Sequence, residues 1–246
     1  MGRKYYRNPP IIEAVCDFRP TQDTQWDLTV PGLFYERVKD AFPHREQRVV
    51  QEFELTQGMQ VLQQQIRSSE RVLMFSEDRK TLIQLGPRLV VINILKPYNT
   101  WEGFKKYIEK AWSSLQEVVE VRGLERIGLR YINRIEFTTQ DVNLKEYFEF
   151  YPFIGKRLPQ ELAFFIAGAE FPYDGGRDRC RVQLSQGIGD EGKKAIILDL
   201  DYFLARSRGV EVSAALNWVE EAHTRVEEIF EGCITDKLRA MFEEVS

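Results

Sequence analysis

The chain has 246 residues, 43% of them hydrophobic and 29% charged, with a formal net charge of -4. That length allows one large domain or two small ones with a sizeable buried core. The negative balance argues against nucleic-acid or acidic-membrane binding by bulk electrostatics, and no apolar run approaches the roughly 20 residues of a membrane helix.

The basic start, "MGRKYYRNPP", lacks the apolar segment of a secretory signal, and position 6 is Tyr where a myristoylation pattern wants Ser or Thr. A cytoplasmic location is the expectation. "IIEAVCDFR" (11–19) alternates like a strand, entered through the stiff Pro9-Pro10 pair. "PGLFYERVKDAF" (31–42) reads as a short helix stopped by Pro43. Four or five short strand candidates follow between 48 and 95, separated by "QGM", "SSE", "SEDRK" and "GP", which favours an antiparallel meander. "TWEGFKKYIEKAWSSLQEVVEV" is a helix with Thr100 as N-cap and a stripe of Trp101, Phe104, Ile108, Ala111 and Leu115.

After Gly123 the order recurs: strand "LERIGLRYINRIEF", short helical stretch "NLKEYFEFY", three strands, and a long helix from about Ser213 that runs past Gly232 toward Phe242. The pattern predicts an α+β fold, antiparallel sheet covered by two long helices. It divides into pseudo-repeated β-α-β(n)-α halves, 1–122 and 123–246, within one compact unit. Both helix-grip-like and TBP-like arrangements satisfy that order.

Three scattered cysteines, Cys16, Cys180 and Cys233, suggest neither a disulfide framework nor a zinc knuckle and read as buried thiols. "GIGDEGKK" satisfies G-x-G-x-x-G, but strands flank it on both sides, and phosphate cradling of that kind needs a helix opening at the glycines. It reads as a hairpin tip. In "LDLD", Asp199 and Asp201 share one face of a strand and are the metal candidates, with Mg²⁺ as the only cofactor considered. Glu52 and Glu54 repeat the spacing. Arg177, Arg179, Arg181, Lys193, Lys194, Arg206 and Arg208 gather around one hairpin, but nearby acids dilute the charge and a salt-bridged surface is the expectation.

The strand 124–137 has two faces of different character. Ile127, Leu129, Tyr131, Asn133, Ile135 and Phe137 form a core face whose one polar guest, Asn133, needs partners. Arg126, Gly128, Arg130, Ile132, Arg134 and Glu136 form an arginine ladder, and Glu13 and Asp17 of strand 11–19 are the expected cross-strand partners of Arg130 and Arg134. The candidate ligand-binding residues are Glu13, Asp17, Arg130, Asn133 and Arg134.

"NPPIIEAVCDFR", "GLRYINRI" and "ILDLD" resemble the hallmark segments of a sporadically distributed prokaryotic family of about 250-residue proteins of unknown function. The resemblance marks Asn8, Pro9, Pro10, Glu13, Ala14, Arg130, Tyr131, Asn133 and Arg134 as pattern positions. It carries no catalytic residues, and its patchy distribution implies an accessory or defence setting. The expected function is a non-enzymatic binding or regulatory module, a homodimer that offers a charged sheet face to a protein partner or a small anionic ligand. The alternatives are a metal-dependent enzyme on phosphate or triphosphate substrates, with Arg130 and Arg134 on phosphate, and nucleic-acid binding through 177–208. The E-x-E-x-K run of the tunnel-shaped triphosphatases is missing.

Overall fold

The computed structural model describes residues 5–57, 62–139, 142–190 and 193–245, with the backbone alone at 5, 50–57, 62–68 and 245. The chain is α+β, and its main sheet has nine antiparallel strands. In chain order the principal elements are β1 (Tyr5–Tyr6), β2 (Ile11–Pro20), α1 (Val30–Val38), β3 (His44–Gln57), β4 (Leu62–Phe75), β5 (Thr81–Gly86), β6 (Leu89–Leu95) and α2 (Trp101–Val118). Then come β7 (Leu124–Phe137), α3 (Leu144–Tyr147), β8 (Ile166–Tyr173), β9 (Asp178–Ile188), β10 (Lys194–Leu204), α4 (Ala215–Cys233), α5 (Asp236–Met241) and β11 (Glu244–Val245).

The strand order is β3-β4-β5-β6-β2-β7-β10-β9-β8, so β2 and β7 are neighbours at the centre of the sheet. Their antiparallel register sets Ala14 opposite Tyr131, Val15 opposite Arg130 and Asp17 opposite Gly128. On the far side of β7 the register sets Arg130 opposite Asp201 and Ile132 opposite Asp199. β1 and β11 form a separate two-stranded pair that ties the two described ends of the chain together.

One face of the sheet is apolar because every second residue of its central strands is apolar. Ala14, Cys16 and Phe18 of β2, Leu129 and Tyr131 of β7, and Leu198, Leu200 and Tyr202 of β10 are all buried there. The amphipathic helices α2 and α4 lie on this face. Trp112 of α2 stacks on Phe18 at 4.5 Å, and Trp218 of α4 meets Tyr202 at 5.6 Å between ring centroids. A single hydrophobic cluster draws on residues from both halves of the chain. At about 25 cal/mol per Å² of apolar area, burial of this cluster is the main force holding the sheet and helices together.

Several boundaries differ from the sequence reading. "SSE" is no turn: β4 runs through it, with Ser68, Ser69 and Glu70 opposite Gln51, Val50 and Val49 of β3. Cross-strand pairing thereby overrides the turn preference of serine. The last long helix does not run on toward Phe242; it passes Gly232 and ends at Cys233, and Thr235 caps a new helix, its Oγ1 accepting from the Leu238 N–H. β8 begins at Ile166 rather than Glu161. Thr100 does cap α2, its Oγ1 accepting from the Gly103 N–H at 3.1 Å. Among the described residues no helix is long and apolar enough to cross a membrane.

Candidate functional site

The face opposite α2 and α4 is where the charged residues of the central strands collect. Period-two alternation puts Glu13, Val15 and Asp17 of β2, Arg126 to Glu136 of β7, Asp199 and Asp201 of β10, and Arg179 and Arg181 of β9 on it. Their contacts run across strands. Arg126 is the hub: its Nε donates to Asp17 at 3.1 Å and its Nη2 to Asp201 at 2.8 Å. Its guanidinium also lies 4.5 Å from the centroid of the Phe203 ring, and Arg181 approaches the same ring at 5.7 Å.

Two carboxylates thus share one guanidinium in a largely buried site. Burial outweighs the attraction of Arg126 at Asp201, so that carboxyl is held above its ordinary range, and the nearby Asp17 charge adds to the rise. Arg126 itself is held more firmly charged: the attraction of the two aspartates overcomes the opposing effect of burial.

Gly128 is what allows this cluster. A Cβ at that position would stand 2.3 Å from Asp17 Oδ1 and 2.7 Å from Arg126 Nη2. Glycine inside a strand marks such close approach. Gly128→Ala is expected to cost about 1–3 kcal/mol, as overpacking does, and a urea midpoint against the parent chain measures it.

Arg130 and Arg134 are paired, but not with Glu13 and Asp17 as expected. Arg130 Nε donates to Asp199 at 2.8 Å, with Nη2 on the other carboxylate oxygen. Arg134 binds Asp190 at 2.7 Å and Glu136 at 2.9 Å. Asp17 pairs with Arg126 and Arg19 instead. Glu13 accepts from Asn93 Nδ2 at 2.7 Å and reaches Arg130 only through space. From Glu13 a hydrogen-bonded chain continues outward through Asn93 and Gln84 to Arg71, crossing four strands. On the other flank Glu170 of β8 takes Arg179 at 2.8 Å and Arg181 at 3.3 Å.

Asn133 belongs to the other face. It is buried, and its Nδ2 donates to the Leu198 carbonyl at 3.1 Å, so the polar guest of the core is satisfied by main chain across to β10. Glu13, Asp17, Arg130 and Arg134 therefore share one surface, and Asn133 does not. Arg126 is the residue the sequence reading left out of the site. The signal for it was Gly128, two residues along the same face.

Asp199 and Asp201 lie side by side on the charged face, each engaged by an arginine. Among the described residues no three His, Cys, Asp or Glu side chains gather into a group that holds a metal. Glu52 and Glu54 fall where only the backbone is described. The glycine run joins β9 to β10, two antiparallel strands, and its residues 191 and 192 lie outside the described residues. The basic residues of 177–208 divide among separate partners: Arg177 with Asp174 and Asp178, Arg179 and Arg181 with Glu170, and Arg208 with Asp23. All three cysteines are buried, and burial pushes the Cys180 and Cys233 thiols up to about 12.

The imidazole of the chain's second histidine is on the helix side. His223 stacks on Trp101 at 3.9 Å, meets the Tyr131 hydroxyl at 3.3 Å through Nδ1, and has Glu227 3.3 Å from Nε2. Tyr131 in turn meets the Tyr98 hydroxyl at 3.2 Å, and burial raises its ionisation far above the ordinary phenol. These groups fasten α2, α4 and β7 to one another. Comparisons with protein-family models, with curated proteins and with solved structures give no match for this chain.

Proposed function

We propose that the chain is a non-enzymatic, cytoplasmic binding or regulatory module whose charged sheet face receives an anionic partner, a protein surface or a small ligand rich in carboxylate or phosphate. One observation carries the reading: along most of this face the guanidinium is the outer member of each ion pair. The Arg130 side chain is 46% exposed over an Asp199 that is 14% exposed. Arg126 is likewise more exposed than Asp17 and Asp201, and Arg179 and Arg181 more than Glu170. The order reverses only at Arg134, whose partner Asp190 is the outer group. A face balanced in formal charge therefore presents N–H edges outward, and the fixed fork of arginine suits carboxylate and phosphate.

Because β2 pairs with β6 and β7 with β10, we also read the chain as two β-α-β(n)-α halves meeting at β2 and β7, with α2 and α4 covering the opposite face. The segments "NPPIIEAVCDFR" and "GLRYINRI" that carry the family resemblance are these two central strands with their approach, and kinship with that family is part of the proposal.

The test is calorimetry with pyrophosphate and with a polyglutamate peptide at low salt. Arg130→Ala and Arg181→Ala are each expected to weaken binding about tenfold, in keeping with one charge-assisted hydrogen bond of about 1.5 kcal/mol. Binding that survives both changes together would remove the face as the site.

A further inference from the structure

We propose that the outer edge of β8 is a self-association site, on which a second copy of the chain adds its own β8 antiparallel and continues the sheet. β8 is one of the two edge strands of the nine, β3 being the other, and none of its eight residues is buried. Edge strands in soluble proteins are commonly guarded by lysine, by proline or by a covering element, and β8 has no lysine and its one proline, Pro172, only next to its end. β8 reads "IAGAEFPY" and carries one charge, Glu170, already neutralised by Arg179 and Arg181. Ile166 and Phe171 are exposed on it, and Phe153, Leu158 and Phe164 are exposed on the segment leading into it.

The register of β8 on β9 decides which main-chain groups point outward. The Gln186 N–H donates to the Phe165 carbonyl at 3.2 Å, and pairing is continuous from Ile166–Ser185 to Tyr173–Asp178. Hydrogen-bonded pairs alternate along an antiparallel ladder, so the main-chain groups of residues 167, 169, 171 and 173 face β9. Those of Ile166, Gly168 and Glu170 face outward. So does the nitrogen of Pro172, which has no N–H to offer, a place proline tolerates on an edge.

A two-fold axis at Ala169 then gives a self-complementary pairing. Gly168 comes opposite the partner's Glu170, Ile166 opposite the partner's Pro172, and Ala167 opposite the partner's Phe171. A large side chain meets a small one at Gly168 and at Ala167, and the outward main-chain groups pair with one another. The space above Gly168 is open, its nearest neighbour being the Val182 carbonyl oxygen at 3.8 Å from a built Cβ. The partner's Glu170 therefore lies across it toward Gln183, which sits opposite Gly168 on β9. An axis at Glu170 instead would set two like charges face to face, and one at Gly168 would oppose Ile166 to the partner's Glu170. Charge and shape both select Ala169. A strand pair alone covers less than the roughly 800 Å² per partner of a standard interface, and the apolar side chains before β8 supply the remainder.

Sedimentation velocity on the full chain, with oxidative cross-linking of single-cysteine additions, tests the pairing. The parent chain is expected to be a dimer. Gly168→Glu, which has open space to enter in the monomer and sets a second carboxylate directly opposite the partner's Glu170, is expected to raise the dimer dissociation constant at least tenfold while the circular dichroism stays unchanged. Ala169→Cys is expected to cross-link to itself, since a non-hydrogen-bonded antiparallel pair holds its Cα atoms about 4.5 Å apart, within disulfide range. Ala167→Cys, opposite a phenylalanine, is expected not to. The native thiols are buried and stay out of the reaction. A monomer at all concentrations overturns the proposal. So does a dimer indifferent to Gly168→Glu that Ala169→Cys fails to capture, because its interface then lies elsewhere. Loss of the dimer leaves anion binding by Arg130 untouched, so the two readings fail separately.

Discussion

Arg126→Met is expected to destabilise the chain by about 3–5 kcal/mol at pH 7, the range for removing one member of a buried ion pair. The change keeps the length of the side chain and much of its contact with Phe203, so the loss reports charge more than packing. Asp17 and Asp201 are left facing each other across β2, β7 and β10 without the guanidinium that joined them. The Asp201 carboxyl, already raised by burial and by the nearby Asp17 charge, then loses the attraction of Arg126 and rises further.

The sign of the pH dependence follows. A native carboxyl with a raised pKa holds a proton that the unfolded chain has already lost, so the native state binds more protons and stability falls as pH increases through that window. The variant is therefore expected to regain stability when the pH is lowered from 7 toward 5. In the parent chain Asp201 contributes in the same direction, because burial has already raised it. Adding Asp17→Asn and Asp201→Asn to the variant is expected to restore most of the loss and to flatten the pH dependence. Urea unfolding of the variants at pH 5 and 7 measures both effects.

Asp178→Ala is expected to cost a comparable amount, about 3–5 kcal/mol, for a different reason. Asp178 is buried between β9, β10 and α4, where it accepts from Trp218 Nε1 at 3.0 Å and from the Tyr202 hydroxyl at 3.3 Å. Arg177 closes the cluster at 2.6 Å. Alanine leaves the indole N–H and the phenol without this acceptor, and the cost of unpaired buried donors exceeds the worth of the bonds. Asp178→Asn keeps a side-chain oxygen in place and is expected to lose less than half as much. The denaturant midpoint, followed by Trp218 fluorescence, separates the two variants. An unchanged denaturant slope shows that stability, and not the compactness of either state, has moved.

Both clusters stand on residues whose type the sequence displayed and whose partners it could not. The two faces of 124–137 were legible from alternation alone, and so was the neutralisation of its arginines. Which carboxylates do the neutralising depends on the register of β7 against β10. Those strands are joined by no turn, and more than fifty residues separate Arg130 from Asp199. No local signal sets such a register. It follows from packing Leu129, Tyr131 and Ile135 against Ile196, Leu198 and Leu200 on the apolar face, which carries the charged face along with it.

Gly128 was a local signal of a different kind. A glycine between Ile127 and Leu129, in a strand otherwise built of long side chains, marks the place where two charged groups close over the backbone. The helices were easier to read: Thr100 and the apolar stripe after it define α2 almost to its ends. The break after Cys233 is instructive for the same reason. Thr235 and Asp236 form a capping start within an apolar period that otherwise continues, and the cap outweighed the period.

The outward order of the ion pairs was invisible in the sequence, since it depends on how far each guanidinium stands above its carboxylate. It is also the point on which the proposed function rests. Arginine Nε–H resonances, followed by NMR while pyrophosphate or polyglutamate is added at low salt, test it directly. Shifts confined to Arg130, Arg179 and Arg181, with Arg126 still, are the expected result. Arginine signals on this face that do not move, with shifts only at Arg177, Arg206 or Arg208, would contradict it.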